Sequence, residues 1–150
     1  MFIVLEGQDA AGKDTQAAKF VEYFKAQGKE VVTYSESGTT SENPFIKGIA
    51  ELNYGKDYGI DKRTRALLYL VNRYEQWVKI AEPVLKNNGV VIITRNWFST
   101  LIYEGYTQGV SRSLITKLHN RFREMMHILL RLPQQVQGEP QRAPLPHSGK

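Results

Sequence analysis

The chain has 150 residues, of which 41% are hydrophobic, 23% charged and 11% aromatic, a composition typical of one globular domain. Its longest apolar run, Ala66 to Val71, is far shorter than the roughly 20 residues of a membrane-spanning helix, so we expect no integral membrane protein. The net charge of +5 favours anionic partners, and the lack of cysteine excludes disulfides and thiolate metal sites and suits a cytoplasmic protein.

Short apolar runs alternate with helical patterns along the chain. Strands buried on both faces are predicted at Phe2 to Leu5, Glu30 to Tyr34, Val90 to Thr94 and His127 to Leu132. Helices are predicted from Lys13 to Gly28, over 44 to 53, from Asp61 to Asn88 with a kink near Pro83, and over about 111 to 125. This alternation predicts an α/β fold with a parallel sheet and helices on both faces.

The end of the chain has a different composition. Four of the six prolines lie after residue 132, among Gln, Gly and Ser and with few apolar residues. We therefore expect a domain over 1–132 and a proline-rich, disordered tail over 133–150.

A phosphate-binding motif follows the first strand. Residues 7–13 have the pattern G-x-x-x-x-G-K between a predicted strand and a predicted helix. Backbone N–H groups of such a loop surround a phosphate, and the lysine adds a full positive charge. The predicted phosphate-binding residues are Gly7, Ala10, Ala11, Gly12, Lys13, Asp14 and Thr15. The alternative is a glycine-rich turn that only starts a helix.

The residue after the lysine departs from the usual motif. Asp14 stands where a Ser or Thr normally ligates magnesium. An acid is favoured there by the helix dipole alone. The other interpretation is a hard oxygen ligand for Mg²⁺, and the residues by themselves leave both open.

The long predicted helix carries a candidate platform for a planar base. Tyr69, Asn72, Arg73 and Gln76 share one face, where Tyr69 can stack and Arg73 can donate to a carbonyl. A second face carries the apolar residues Leu67, Leu70 and Tyr74. The alternative is a solvated helix face without a ligand.

A further arginine follows the third strand. Arg95 lies just beyond its carboxyl end, where open parallel sheets bind ligands, and its guanidinium suits an acceptor phosphate. Ser99 can donate a further hydrogen bond from the same loop.

Four segments in order resemble the thymidylate kinase family of P-loop nucleoside monophosphate kinases. They are residues 2–16, 34–40, 67–76 and 94–105, and the resemblance covers residues 2–131. It implies a three-layer P-loop NTPase-type sheet, ATP as phosphoryl donor, dTMP as acceptor, Mg²⁺ as cofactor and a homodimer.

The resemblance also implies roles for single residues. Asp9 would contact the 3′-hydroxyl, Tyr69 the thymine ring, Arg73 its carbonyl, and Tyr103 the sugar. Glu36 would hold magnesium through water or anchor the acceptor, and its alternative is an exposed loop acid. The predicted acceptor site comprises Asp9, Glu36, Tyr69, Asn72, Arg73, Arg95, Ser99, Tyr103 and Glu104, with Lys13, Asp9 and Arg95 in catalytic roles and Asp14 and Glu36 as metal ligands.

The sequence also departs from the family pattern. Thr94 stands where the family has an aspartate before the loop arginine, so we hypothesise that Asp14 and Thr94 have exchanged places as magnesium ligands. Family members continue into a basic lid and a fifth strand, which we expect this chain to lack. Two alternatives follow, a nucleotide-binding remnant without turnover and a P-loop kinase that uses polyphosphate. Nucleic-acid binding is not expected, because the basic residues from 112 to 131 lack interleaved aromatics.

Overall fold

Three parallel strands form the centre of the fold. The computed structural model describes residues 1–125, in which β1 (Phe2–Leu5), β2 (Val31–Ser35) and β3 (Val90–Thr94) pair in the order β1-β3-β2. Leu5 of β1 and Ser35 of β2 both lie opposite Thr94, so the three strands end at the same level. The predicted strand at 127–132 and the predicted domain boundary lie outside the described residues.

The helices confirm the predicted alternation. They are α1 (Lys13–Ala26), α2 (Pro44–Tyr54), α3 (Lys62–Gln76), α4 (Glu82–Lys86), α5 (Trp97–Thr100) and α6 (Arg112–Met125), with two π-helical segments, π1 (Trp77–Ala81) and π2 (Leu101–Thr107), after α3 and α5. Asp61 caps α3 as predicted, because its carboxylate accepts from the Arg63 N–H at 2.9 Å. No helix within residues 1–125 is long and apolar enough to cross a membrane.

The predicted helix from Asp61 to Asn88 is interrupted ahead of Pro83. The segment π1 widens the helix there, and the N–H of Glu82 donates to the carbonyl of Trp77, five residues back. Proline lacks the N–H that a regular helix needs and its ring crowds the carbonyl four residues before it. A wider turn accommodates both effects, so the predicted kink takes the form of a π segment.

Both faces of the sheet are covered. Alternate residues of β3 enter different cores, and all five of its residues are buried. One core contains Ala17, Val90 and Ile92 beneath α1, and the other contains Trp77, Ala81, Val84, Val91, Ile93 and Phe122 beneath α3, π1, α4 and α6. These layers confirm the predicted α/β architecture with helices on both faces.

The faces of α3 differ from those predicted. Leu67 and Tyr74, expected on an apolar face, are 46% and 38% exposed, whereas Asn72, Arg73 and Gln76 are buried. The reason is the loop after β2, whose backbone carbonyls need donors, and the side-chain amides of α3 supply them. Polar residues therefore take the buried side of this helix.

Candidate active site

The phosphate loop joins β1 to α1 in a strained conformation. Its backbone turns through positive φ angles at Gly7 (+156°), Ala10 (+60°) and Gly12 (+77°). Lys13 folds back so that its Nζ donates to the carbonyl of Gln8 at 2.5 Å. The first N–H groups of α1 have no partner within the helix and remain available to an anion. Phosphate binding by this loop stays a prediction, and the positive φ angles and the free N–H groups at the start of α1 are compatible with it.

Asp14 and Thr15 directly follow the loop lysine, in the first turn of α1, and their side chains are exposed. Within residues 1–125, no three acidic or histidine side chains cluster as a ready-made metal site. Mg²⁺ in kinases is held by one or two carboxylates together with substrate phosphates and water. The carboxylate of Asp14, next to the place where phosphates would lie, fits such an ion.

A cavity of about 310 Å³ opens at the carboxyl ends of the strands. Of the nine predicted acceptor residues, all except Asn72 and Arg73 line it. The lining residues are Asp9, Glu36, Ser37, Tyr54, Tyr69, Arg95, Ser99, Thr100, Tyr103, Glu104, Thr107 and Gln108. The structure thus brings together residues that lie more than 90 positions apart in the sequence.

Arg95 connects the loop to the cavity. Its backbone has φ +70°, a conformation that costs free energy in any residue with a Cβ and that often marks a functional position. Its guanidinium pairs with Asp9 of the phosphate loop, donates to Ser99 Oγ at 3.3 Å and lies 5.3 Å above the Tyr103 ring. Asp9, Ser99 and Tyr103, which are predicted to belong to the acceptor site, therefore all contact the guanidinium of Arg95.

A residue that sequence reasoning did not assign to the site is Glu6. One of its carboxylate oxygens accepts from the backbone N–H of Asn96 at 2.8 Å, and the other accepts from Ser99 Oγ at 2.7 Å. Glu6 directly follows β1 and precedes the phosphate loop. Because parallel strands end at one edge of a sheet, this position could have indicated that Glu6 belongs to the site.

Arg73 does not reach the cavity as predicted. It forms an ion pair with Glu36, and its Nη2 donates to Thr100 Oγ1 at 2.8 Å. Burial lowers the pKa of Arg73 to about 9, so the guanidinium remains a cation at neutral pH. The contact from Arg73 to a base carbonyl stays a prediction, and in this structure the guanidinium is engaged by Glu36 and Thr100.

Glu36 is buried, with 6% of its surface exposed, so its interpretation as an exposed loop acid is wrong. The carbonyl of Glu36 accepts from the amides of Asn72 and Gln76, both at 3.0 Å, and its N–H donates to the carbonyl of Thr94 at 3.0 Å. The carboxylate is engaged by Arg73 and is a poorer candidate for metal binding than Asp14. Asn72 supports the loop rather than lining the cavity.

The inner end of the cavity is aromatic. The ring of Tyr69 meets the ring of Tyr54 edge to face, with centroids 5.7 Å apart. Tyr54, at the end of α2, was not predicted, since nothing in its local pattern distinguishes it from a surface tyrosine. Glu104 completes this end and is only 3% exposed; burial raises the pKa of its carboxyl, and the charge of Arg65 partly opposes that shift.

A second cavity, of about 370 Å³, lies on the other side of Arg73 and Glu36. His119 of α6 lines it and stacks on Trp97 with ring centroids 4.5 Å apart. Burial lowers the pKa of His119 to about 4, and the charges of Arg73 and Arg123 act in the same direction. His119 is therefore neutral at physiological pH.

Comparison with known proteins identifies the family of the chain. The family model described as "Thymidylate kinase" matches residues 5–143. A thymidylate kinase from Caldicellulosiruptor saccharolyticus is 34% identical over 139 residues, covering 90% of this chain and 66% of that protein. A thymidylate kinase from Anaplasma phagocytophilum is 38% identical over 122 residues, covering 80% of this chain and 55% of that protein.

A solved structure shows the same fold. The crystal structure of thymidylate kinase from Ehrlichia chaffeensis superposes with a TM-score of 0.68 at 34% identity, covering 81% of this chain and 69% of that one. The chain spans 55% to 66% of the length of the two relatives named above. The match over most of its residues, together with the phosphate loop and the cavity beside it, shows that the chain belongs to the thymidylate kinase family.

Proposed function

We propose that this chain transfers the γ-phosphoryl group of ATP to dTMP, giving ADP and dTDP. The observation that carries the proposal is the link between loop and cavity through Asp9 and Arg95. This link would bring the predicted donor site on residues 7–15 next to a cavity with a cation at one end and an aromatic surface at the other.

Each end of the cavity suits one part of a nucleoside monophosphate. Arg95 offers its guanidinium to the monophosphate, and Ser99 holds that arginine in place through a hydrogen bond. Tyr69 offers its ring to the base, and Tyr103, whose ring lies 5.3 Å from the Arg95 guanidinium, would contact the sugar. Asp9 would exchange its contact with Arg95 for the sugar hydroxyl when the acceptor binds.

The chemical step needs alignment and charge neutralisation more than bond-forming groups from the protein. An oxygen of the dTMP phosphate attacks the γ-phosphorus of ATP, the bond from that phosphorus to the β,γ-bridging oxygen breaks, and ADP leaves. Lys13 and the loop N–H groups would stabilise the donor phosphates, and Arg95 the acceptor phosphate. Mg²⁺, when bound beside Asp14, would neutralise charge on the β- and γ-oxygens.

The exposed apolar side chains of α2 and α3 support the predicted homodimer. Phe45, Leu52, Leu67 and Val71 are each between 41% and 54% exposed. A paired surface would remove them from water. Sedimentation of the chain over a range of concentrations tests this, and a monomer at every concentration would contradict it.

An ADP-release assay over a panel of nucleoside monophosphates, with ATP and magnesium, tests the proposed reaction. We expect dTMP to be the preferred acceptor. The Lys13→Met variant should lose at least about a hundredfold in rate, since it removes the charge on the donor phosphates. Lys19→Met, which removes an exposed lysine farther along α1, serves as the matched control.

The same assay separates the alternatives. Faster transfer from polyphosphate than from ATP would replace the proposal with a polyphosphate-dependent kinase. Binding of ATP and dTMP without transfer would indicate a nucleotide-binding remnant.

A further inference from the structure

Glu6 connects the end of β1 to the segment that follows β3. One of its carboxylate oxygens accepts from the backbone N–H of Asn96 at 2.8 Å, and the other accepts from Ser99 Oγ at 2.7 Å. Both donors lie at least 90 positions farther along the chain. Glu6 is exposed, so removal of its side chain from water does not explain this arrangement. Its position is set by two hydrogen bonds to a loop of the proposed site.

The groups around Ser99 fix the direction of its hydroxyl hydrogen. A carboxylate can only accept a hydrogen bond, a guanidinium can only donate, and a serine hydroxyl has one hydrogen. Ser99 therefore donates that hydrogen to Glu6 Oε2 and accepts from Arg95 Nη1, at a distance of 3.3 Å. Among residues 1–125, no other acceptor receives this hydrogen. Glu6 thus turns an oxygen lone pair of Ser99 toward Arg95.

Arg95 depends on this end of β1 for its backbone as well as its side chain. Its N–H donates to the carbonyl of Leu5 at 2.9 Å, and its backbone is held at φ +70°. The guanidinium pairs with Asp9, but the Asp9 side chain is 87% exposed and would leave for the sugar hydroxyl when the acceptor binds. The Ser99 hydroxyl and the Tyr103 ring would then hold the guanidinium.

We propose that Glu6 is a positioning residue for the transfer reaction. Through the hydroxyl of Ser99, it orients the guanidinium of Arg95 toward the phosphate of the acceptor. Glu6 is absent from the described lining of the acceptor cavity, so it acts through Ser99 and not by touching the acceptor. The inference rests on the proposed function, because it concerns how the cation of that site is held.

Binding of dTMP and of thymidine to the full chain tests this proposal. The two ligands share the base and the sugar, and thymidine lacks the phosphate that Arg95 would bind. A hydrogen bond to a charged group corresponds to about tenfold to a hundredfold in Kd. In isothermal titration calorimetry, we therefore expect the unmodified chain to bind dTMP at least about tenfold more tightly than thymidine.

The Glu6→Gln variant keeps the length of the side chain and replaces one acceptor oxygen by a donor. An amide at this position faces two donors with one acceptor, so the hydrogen bond from Asn96 or the one from Ser99 is lost. We expect the preference for dTMP over thymidine to fall at least about threefold, while the affinity for thymidine stays within about twofold. Glu22→Gln, which changes an exposed carboxylate on α1, is the matched control and should alter neither affinity.

A second comparison tests the route through Ser99. Ser99→Ala removes the hydroxyl and should lower the same preference by a similar factor. Because Glu6 acts through Ser99, the double variant Glu6→Gln with Ser99→Ala should lose no more of the preference than Ser99→Ala alone. Losses that multiply in the double variant would indicate two independent effects and overturn the proposal.

Two results with Glu6→Gln alone would also overturn the proposal. An unchanged preference would mean that Glu6 does not orient Arg95, and an equal loss of both ligands would mean that Glu6 only supports the fold. Should thermal melting show that this variant is unfolded, Glu6→Asp takes its place. Its carboxylate is one methylene farther from both donors, so the same fall in preference is expected, and an unchanged preference again overturns the proposal. Failure of the unmodified chain to bind dTMP more tightly than thymidine would instead overturn the proposed function.

Discussion

Removing the guanidinium of Arg73 should strongly destabilise the fold. The side chains of Arg73 and Glu36 are only 10% and 8% exposed, so the Arg73→Met variant would leave a carboxylate without its partner and away from water. Breaking one side of a buried ion pair costs about 3 to 5 kcal/mol. Domains of this size are stable by about 5 to 15 kcal/mol, so the loss is a large part of the total.

The backbone around Glu36 is held in place. Three hydrogen bonds to Asn72, Gln76 and Thr94 fix its peptide groups, so only a change of side-chain rotamer can relieve the unpaired carboxylate. The double variant Glu36→Gln with Arg73→Met removes both charges. It should be more stable than the sum of the single losses predicts, by at least about 2 kcal/mol.

Urea unfolding, followed by circular dichroism, measures these free energies. The exposed pair of Lys86 and Glu82, 2.9 Å apart on one helix, offers a control, and Lys86→Met should cost less than about 1 kcal/mol. Two results would contradict this prediction. One is a free energy of unfolding for Arg73→Met that is no lower than that for Lys86→Met. The other is a double variant at Glu36 and Arg73 whose loss of stability equals the sum of the two single losses.

Three further predictions concern other parts of the structure. Gly38→Ala should cost about 3 kcal/mol and Gly28→Ala about 1 kcal/mol in urea unfolding, since both have φ near +70° but a Cβ at Gly38 would lie 2.7 Å from a buried isoleucine. His119 stays neutral in the fold down to about pH 4, whereas it gains a proton near pH 6.5 when unfolded. Stability should therefore fall as the pH drops from 6.5 to 4, by on the order of 2 kcal/mol more than in His119→Phe, as measured by melting at each pH. The reciprocal double change Asp14→Ser with Thr94→Asp should retain more kinase activity than either single change, if the two magnesium ligands have exchanged places.

Each of these expectations has a result that contradicts it. Equal losses of unfolding free energy in Gly38→Ala and Gly28→Ala would mean that the new Cβ at position 38 is accommodated without a steric cost. Parallel pH profiles for the unmodified chain and His119→Phe would assign the acid sensitivity to other groups. Full activity in both single variants at Asp14 and Thr94 would end the exchange hypothesis.

Local pattern was sufficient to predict the elements that depend on neighbouring residues. The strands, the phosphate loop and the N-cap at Asp61 follow from apolar runs, glycine spacing and a capping residue. The position of Arg95 beyond β3 also follows, because parallel strands end together. Within residues 1–125 the structure agrees with the first three strands to within one residue, with the N-cap and with the position of Arg95.

Features that depend on contacts across the fold could not be read from the sequence. The partner of Arg73 is Glu36, 37 positions away, and only the packing of α3 against the loop after β2 reveals it. The positions of Tyr54 and His119 beside cavities could not be predicted either, because each packs against an aromatic residue of a different helix. The widening at π1 reflects competition between Pro83 and helical geometry, which periodicity alone does not describe.

The carboxylate of Glu6 connects the two loops of the proposed site to the end of one strand. Its two oxygens accept hydrogen bonds from the segment around Asn96 and Ser99, while its own backbone continues into the phosphate loop. A shift of the phosphate loop would therefore have to move this segment or break these two hydrogen bonds. If ATP and dTMP bind to the two loops as proposed, any effect of one on the affinity of the other must be reciprocal.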